Sequence, residues 1–204
     1  MKFKISLKKV FFIIILIGLV VYSVFFYRFF TGSNLVVDSA SVYSSSPTKQ
    51  VNPNSLLPVY LKIPKLNIDA VVENVGLTDS GAMDVPSVPM NVAWFDVGPR
   101  PGENGSSVIA GHSGYKDNIQ AVFDNLYKLK IGDEIDVEDA TGAMTVFIVS
   151  GLKNYNTDQS ALSVFSSNDG LAHLNLITCS GDWNAVKQTH SARLVVFADK
   201  EITQ

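Results

Sequence analysis

The chain has 204 residues, 47% of them hydrophobic, with sixteen Lys and Arg, nineteen Asp and Glu and a formal net charge of −3. The first thirty residues hold five of the basic residues and none of the acids, which leaves eleven basic against nineteen acidic residues in the remainder. An excess of eight acids argues against nucleic acid or an anionic polymer as the main partner, and a single cysteine leaves no internal disulfide to build.

Residues 1–9 carry Lys2, Lys4, Lys8 and Lys9 and no acid, and residues 10–27 carry no charge at all. As a helix the uncharged run spans about 27 Å, close to the hydrocarbon thickness of a bilayer. Four lysines before it and Arg28 behind it orient the N-terminus to the cytoplasm. The expected organisation is a cytoplasmic N-terminus at 1–9, a transmembrane signal anchor at 10–27, a flexible extracellular linker at 28–57 and a catalytic domain at 58–204. The protein would then sit in the cell membrane as a single-pass chain with its catalytic domain outside. A cleaved signal peptide is the competing reading, but its apolar region is about 7–15 residues long and ends in small residues. Here the residues after the run stay bulky through Phe30, and Thr31-Gly32-Ser33 is the earliest place for a cut.

Residues 31–57 turn to Ser, Asn, Val and Pro with no sustained period, as in Ser44-Ser45-Ser46-Pro47. As a coil such a segment separates its ends by roughly 30 Å. The residues from Pro58 onward suffice for a single domain with a real core.

Short strand-like runs dominate that domain, at 60–63, 70–75, 107–110, 134–137, 144–149, 171–177 and 193–198, punctuated by Pro, Gly, Asn and Asp. They predict a mainly β protein, a barrel or a sandwich. The exception is 119–129, where Ile119, Val122, Phe123, Leu126 and Leu129 fall close to i, i+3, i+4, i+7 and predict one short amphipathic helix. Asp117 or Asn118 would cap its start and Gly132 its end.

Cys179, the only thiol, ends the apolar run Leu174-Asn175-Leu176-Ile177-Thr178, and Thr178 to Asp182 reads as that strand's exit into a loop. Such a thiol is either a small packing residue or a nucleophile that needs a partner to help form the thiolate. His112 follows the apolar run Val108-Ile109-Ala110-Gly111, and its small neighbours leave room for a substrate backbone. His173 lies within the strand before Cys179 and His190 in the loop after it, and both read as surface or loop residues. Arg193 opens the last strand. If that strand and the one ending in Cys179 are antiparallel neighbours, Cys179 and Arg193 face each other at one end of the fold.

The order of His112, the Leu176-x-Thr178-Cys179 strand end and Arg193 resembles the sortase family, membrane-anchored cysteine transpeptidases of bacterial cell surfaces. Ile63-Pro64-Lys65-Leu66-Asn67-Ile68, the stretch from Trp94-Phe95 through Gly98-Pro99-Arg100-Pro101-Gly102-Glu103-Asn104-Gly105, Ala110-Gly111-His112, and Leu126, Leu129, Lys130, Gly132 and Asp133 carry the resemblance across almost all of the exported domain. Asn175 departs from the family's Thr-Leu-x-Thr-Cys pattern at its first position. No Asp-Pro-aromatic lid precedes the barrel, so the resemblance is to the anchoring type, classes D, E and F, rather than to pilin-polymerising class C.

The resemblance implies a closed eight-stranded barrel with one or two short helices. It implies that Cys179 attacks the threonine carbonyl of a Leu-Pro-x-Thr-Gly-like sorting signal at the C-terminus of a surface protein. His112 would serve as acid and then base, and Arg193 would stabilise the oxyanion, with the acyl group passing to an amine of peptidoglycan precursor or of a surface protein. Expected substrate contacts are Ala110, Thr178, Ser180 and Trp183, drawn partly from the segments 154–162 and 180–190. The chemistry requires no metal and no organic cofactor. A cell-wall cysteine hydrolase and a non-enzymatic anchored binding module remain as alternatives.

Overall fold

The computed structural model describes residues 56–114, 119–157, 159–186 and 189–202. The expected cytoplasmic segment, the anchor at 10–27 and nearly all of the linker lie outside them, as do Asp117 and Asn118. Eight strands follow in order: β1 (Pro58–Ile63), β2 (Ile68–Val75), β3 (Val92–Phe95), β4 (Gly105–Gly111), β5 (Glu134–Asp139), β6 (Met144–Asn156), β7 (Ala172–Asn184) and β8 (Thr189–Lys200). They close into a barrel in the spatial order β1-β2-β3-β4-β7-β8-β6-β5, with β5 pairing back onto β1. All neighbours are antiparallel except β2 with β3 and β4 with β7. Closure leaves no unpaired edge, which is how an antiparallel all-β chain avoids templating further strands.

Period-2 alternation decides which side chains fill the barrel. Leu174 and Leu176 of β7 and Val196 and Ala198 of β8 join Leu61, Ile63, Ile109, Ile135 and Phe147 in one buried cluster. Each of these side chains larger than alanine stabilises the fold by about 1.5–3 kcal/mol. The alternate residues of the same strands point outward and meet a second, smaller cluster: Val195 with Tyr155 and Val164, against which Ile177, Phe197, Ala161 and Phe165 pack. Val164 and Phe165 belong to α1 (Leu162–Phe165), one helical turn in the connection between β6 and β7.

The amphipathic helix expected at 119–129 does not form. The segment is a run of turns with a single 3-10 turn at Leu126–Lys128. Its apolar residues Val122, Phe123, Leu126 and Leu129 are buried as the spacing demanded, whereas Ile119 is half exposed. The backbone explains the difference. The N–H of Val122 donates to Pro89 O and that of Phe123 to His112 O, so barrel and loop carbonyls take donors that a helix would have used internally.

The strand ending in Cys179 does not exit into a loop at Thr178 to Asp182. β7 continues to Asn184, with a register shift between Ser180 and Trp183, and β8 begins at Thr189, so His190 is a strand residue rather than a loop residue. Gly181 makes the irregularity feasible: its φ is +73°, and a Cβ there would lie 2.4 Å from Ser191 Oγ. The strand β3 was not expected as a separate element. Its four residues are Val92, Ala93, Trp94 and Phe95, too few for a period to show.

Candidate active site

Three neighbouring strands bring the chemistry together. β4 and β7 run parallel with Ala110 opposite Ile177, and each chain goes two residues further, to His112 and to Cys179. β7 and β8 run antiparallel with Cys179 opposite Arg193. Since strands are about 4.8 Å apart, the three side chains stand in a row on the outer side of the barrel. They share a groove of about 490 Å3. All three are half-buried, packed on one side and reachable on the other.

The groove has an apolar wall of Ala161, Val164, Phe165, Ile177 and Val195, and a more polar end at Asn156, Thr157 and Gln159. Met83, Asp84 and Val85 line it from the connection between β2 and β3. Ala110 and Thr178 also reach it, as does Tyr155 of the segment expected to face substrate. Ser180 and Trp183 are not among its lining residues. Ser180 Oγ lies 3.0 Å from Asn154 Oδ1, and the Trp183 ring stands edge-on to His190 with centroids 5.3 Å apart.

Local bonds fix each member of the row. Thr178 is 3% exposed and donates its hydroxyl to Gly111 O at 2.8 Å, which ties β7 to β4 one residue from both Cys179 and His112. Gly111 has to be glycine: a Cβ there would sit 2.4 Å from Phe123 Cδ2 and 2.8 Å from Val122 Cγ1. His112 Nε2 lies 2.9 Å from Pro86 O. A carbonyl only accepts, so that nitrogen carries the proton and donates. Arg193 Nη1 donates to Ala192 O at 2.9 Å and to His190 O at 3.2 Å, and Nη2 to Thr189 Oγ1 at 2.9 Å. The guanidinium is therefore held by its own hairpin while its cross-strand partner is the cysteine.

The strap from β2 to β3 is anchored at Glu73. The Ser87 N–H donates to Glu73 Oε2 at 2.9 Å and Asn91 Nδ2 to Glu73 Oε1 at 2.8 Å. Burial alone would raise that carboxyl, but these bonds outweigh it and hold the group below the ordinary glutamate value. Pro86, whose carbonyl meets His112, lies between Asp84 and Ser87 on the same strap. None of the strap residues carried a sequence signal, because nothing in 76–91 is periodic.

His173 stands apart from the row. Its Nδ1 lies 2.6 Å from Asp199 Oδ1 and its Nε2 2.9 Å from Asp169 Oδ2. Burial works to lower its pKa, yet the two carboxylates more than offset this and raise it above 6.5. The Asp169 carboxyl falls to about 2, chiefly through the Leu171 N–H and then His173.

A thiol, an imidazole and a guanidinium in one groove on the outside of a closed barrel are the kinds of group that cysteine acyl transfer uses. The sortase domain family model matches residues 61–201. The chain belongs to the sortase family. Among solved structures it is similar to sortase A from Corynebacterium diphtheriae, with 22% identity and a TM-score of 0.57, covering 72% of this chain and 62% of that one. It is also similar to sortase C-1 from Actinomyces oris (22% identity, TM-score 0.56, 71% of this chain and 73% of that one). A third is Streptococcus agalactiae sortase C1 (23% identity, TM-score 0.54, 71% and 67%). The chain thus spans less than two thirds of the Corynebacterium protein's length. These likenesses show the fold, and as sortases A and C they lend no support to the expected class D, E or F. A search among curated proteins by sequence gave no match.

Proposed function

We propose that this protein is a membrane-anchored cysteine transpeptidase that cleaves a Leu-Pro-x-Thr-Gly-like sorting signal between Thr and Gly. It then joins the protein to an amine of peptidoglycan precursor or of another surface protein. The observation that carries this is the row of His112, Cys179 and Arg193 along one groove on adjacent strands. The anchor rests on the uncharged run at 10–27 behind four lysines.

In this mechanism the Cys179 thiol passes its proton to His112, and the resulting thiolate attacks the threonine carbonyl, forming an S–C bond and an oxyanion. Arg193 turns donors from Ala192 O and His190 O to that oxyanion. Collapse breaks the C–N bond, and His112 gives its proton to the departing glycine amine, leaving a thioester on Cys179. The acceptor amine then attacks the thioester, His112 takes up its proton, and a new amide forms as the thiolate leaves. Water in place of the amine gives hydrolysis.

Incubating the protein with a sorting-signal peptide and a glycine-type or cell-wall-type amine tests both steps. A mass increase on the protein equal to the acyl fragment, absent from Cys179→Ala, together with a new amide product, is expected. Turnover that survives in Cys179→Ala removes the nucleophile assignment, and purely hydrolytic products with all such amines favour the hydrolase.

A further inference from the structure

Asn175 is a buried polar residue in the middle of β7, 2% exposed, and its side chain does not enter the row of reacting groups. It lies on the same outward face as Ile177 and Cys179 by strand alternation. Its Nδ2 donates to Val164 O at 2.6 Å. Val164 belongs to α1, and a four-residue helix cannot hold itself together in water or satisfy its last carbonyls internally. Two other contacts seat α1: the Val164 side chain is fully buried, and Phe165 meets Phe95 edge-on at 5.7 Å between centroids. The Asn175 bond ties the helix backbone to the strand that carries Cys179.

We propose that Asn175 is a positioning residue for peptide binding. By holding the Val164 carbonyl it sets the distance between the apolar wall at Val164 and Phe165 and the nucleophile on the same strand. This rests on the transpeptidase reading of the groove. It also gives a reason for the departure from the family pattern at this position. A threonine hydroxyl, one bond closer to the backbone, does not reach where the Asn amide reaches.

Two substitutions separate this from a role in stability alone. Asn175→Leu keeps the shape and removes the donor. Asn175→Asp is isosteric, and only its protonated form can donate to Val164 O. For Asn175→Leu, amide hydrogen exchange at Val164 and Phe165 is expected to rise while the barrel strands stay protected. KM for a sorting-signal peptide is expected to rise about tenfold, with kcat and the alkylation of Cys179 by a small reagent little changed. For Asn175→Asp, the ratio of its KM to that of the wild type is expected to fall toward one as pH falls through the carboxyl's pKa. Unchanged exchange in α1 overturns the anchor whatever the enzyme does. Raised exchange with unchanged KM in both variants, or kcat falling in place of KM, overturns the positioning role. If the wild type turns over no sorting peptide, the transpeptidase reading fails, and exchange in α1 still decides whether Asn175 holds the wall.

Discussion

Cys179 and Arg193 are direct cross-strand partners on β7 and β8. Opposed residues on one face of an antiparallel pair have Cβ atoms about 4.5–5.5 Å apart, so a carbonyl attacked by the thiol comes within reach of the guanidinium. The planar fork of donors spans a developing oxyanion and a neighbouring carbonyl together, which a lysine ammonium does not. Arg193→Lys is therefore expected to slow acylation by about a hundredfold, the scale of one lost oxyanion donor. Alkylation of Cys179 by a small reagent, which makes no oxyanion, should change little. Equal falls in both rates would mean that Arg193 acts by tuning the cysteine.

The strap offers a second test. Its carboxylate anchor at Glu73 holds Ser87 and Asn91, and the strap in turn brings Asp84 and Val85 to the groove and Pro86 O to His112. Glu73→Ala removes both acceptors at once. Bulky thiol reagents should then alkylate Cys179 faster than in the wild type, while a small reagent gains less. Identical rates with the bulky reagent would show that the strap does not restrict access.

Gly111 tests how tightly the site is packed. A methyl group there meets the Phe123 ring at 2.4 Å, closer than real contacts allow, and Phe123 is itself buried, 1% exposed. Overpacking of this kind costs about 1–3 kcal/mol. Gly111→Ala is expected to lower Tm and, because His112 is the next residue, to lower acylation as well. A Tm equal to that of the wild type would show that the ring and Val122 yield.

His173 predicts a pH dependence of stability with a definite sign. Its folded pKa is raised above 6.5 by Asp169 and Asp199, so its contribution is fully present below 6.5 and is lost as pH rises through the folded value. Asp169 is shifted the other way, from 3.8 to about 2, so its share is present above 3.8 and is lost as pH falls toward 2. The Tm difference between wild type and His173→Gln should thus be largest between those limits and shrink on the alkaline side. A difference that grows as pH rises above 6.5 contradicts the ion pairs with Asp169 and Asp199.

Much of this was legible in the sequence, for a physical reason. The apolar runs at 171–177 and 193–198 mark two strands that leave water, and in the barrel strand parity puts Cys179 on the outward face and Leu174 and Leu176 in the core. The antiparallel pairing of Cys179 with Arg193 follows from two adjacent strands joined by one short connection. What the pattern could not reveal are bonds between backbone groups distant in sequence. The spacing at 119–129 correctly named the buried residues Val122, Phe123, Leu126 and Leu129, yet the N–H groups of Val122 and Phe123 went to Pro89 O and His112 O and no helix formed. Likewise the strap carbonyl at His112, the hydroxyl of Thr178 on Gly111 O and the amide of Asn175 on Val164 O depend on the register of the closed barrel. Hydrophobic patterning is a property of each segment by itself, and so the chain alone determined every strand but the four-residue β3 and the order of His112, Cys179 and Arg193. Which donor meets which carbonyl is decided only when closure sets the strands against one another, and that step made the groove.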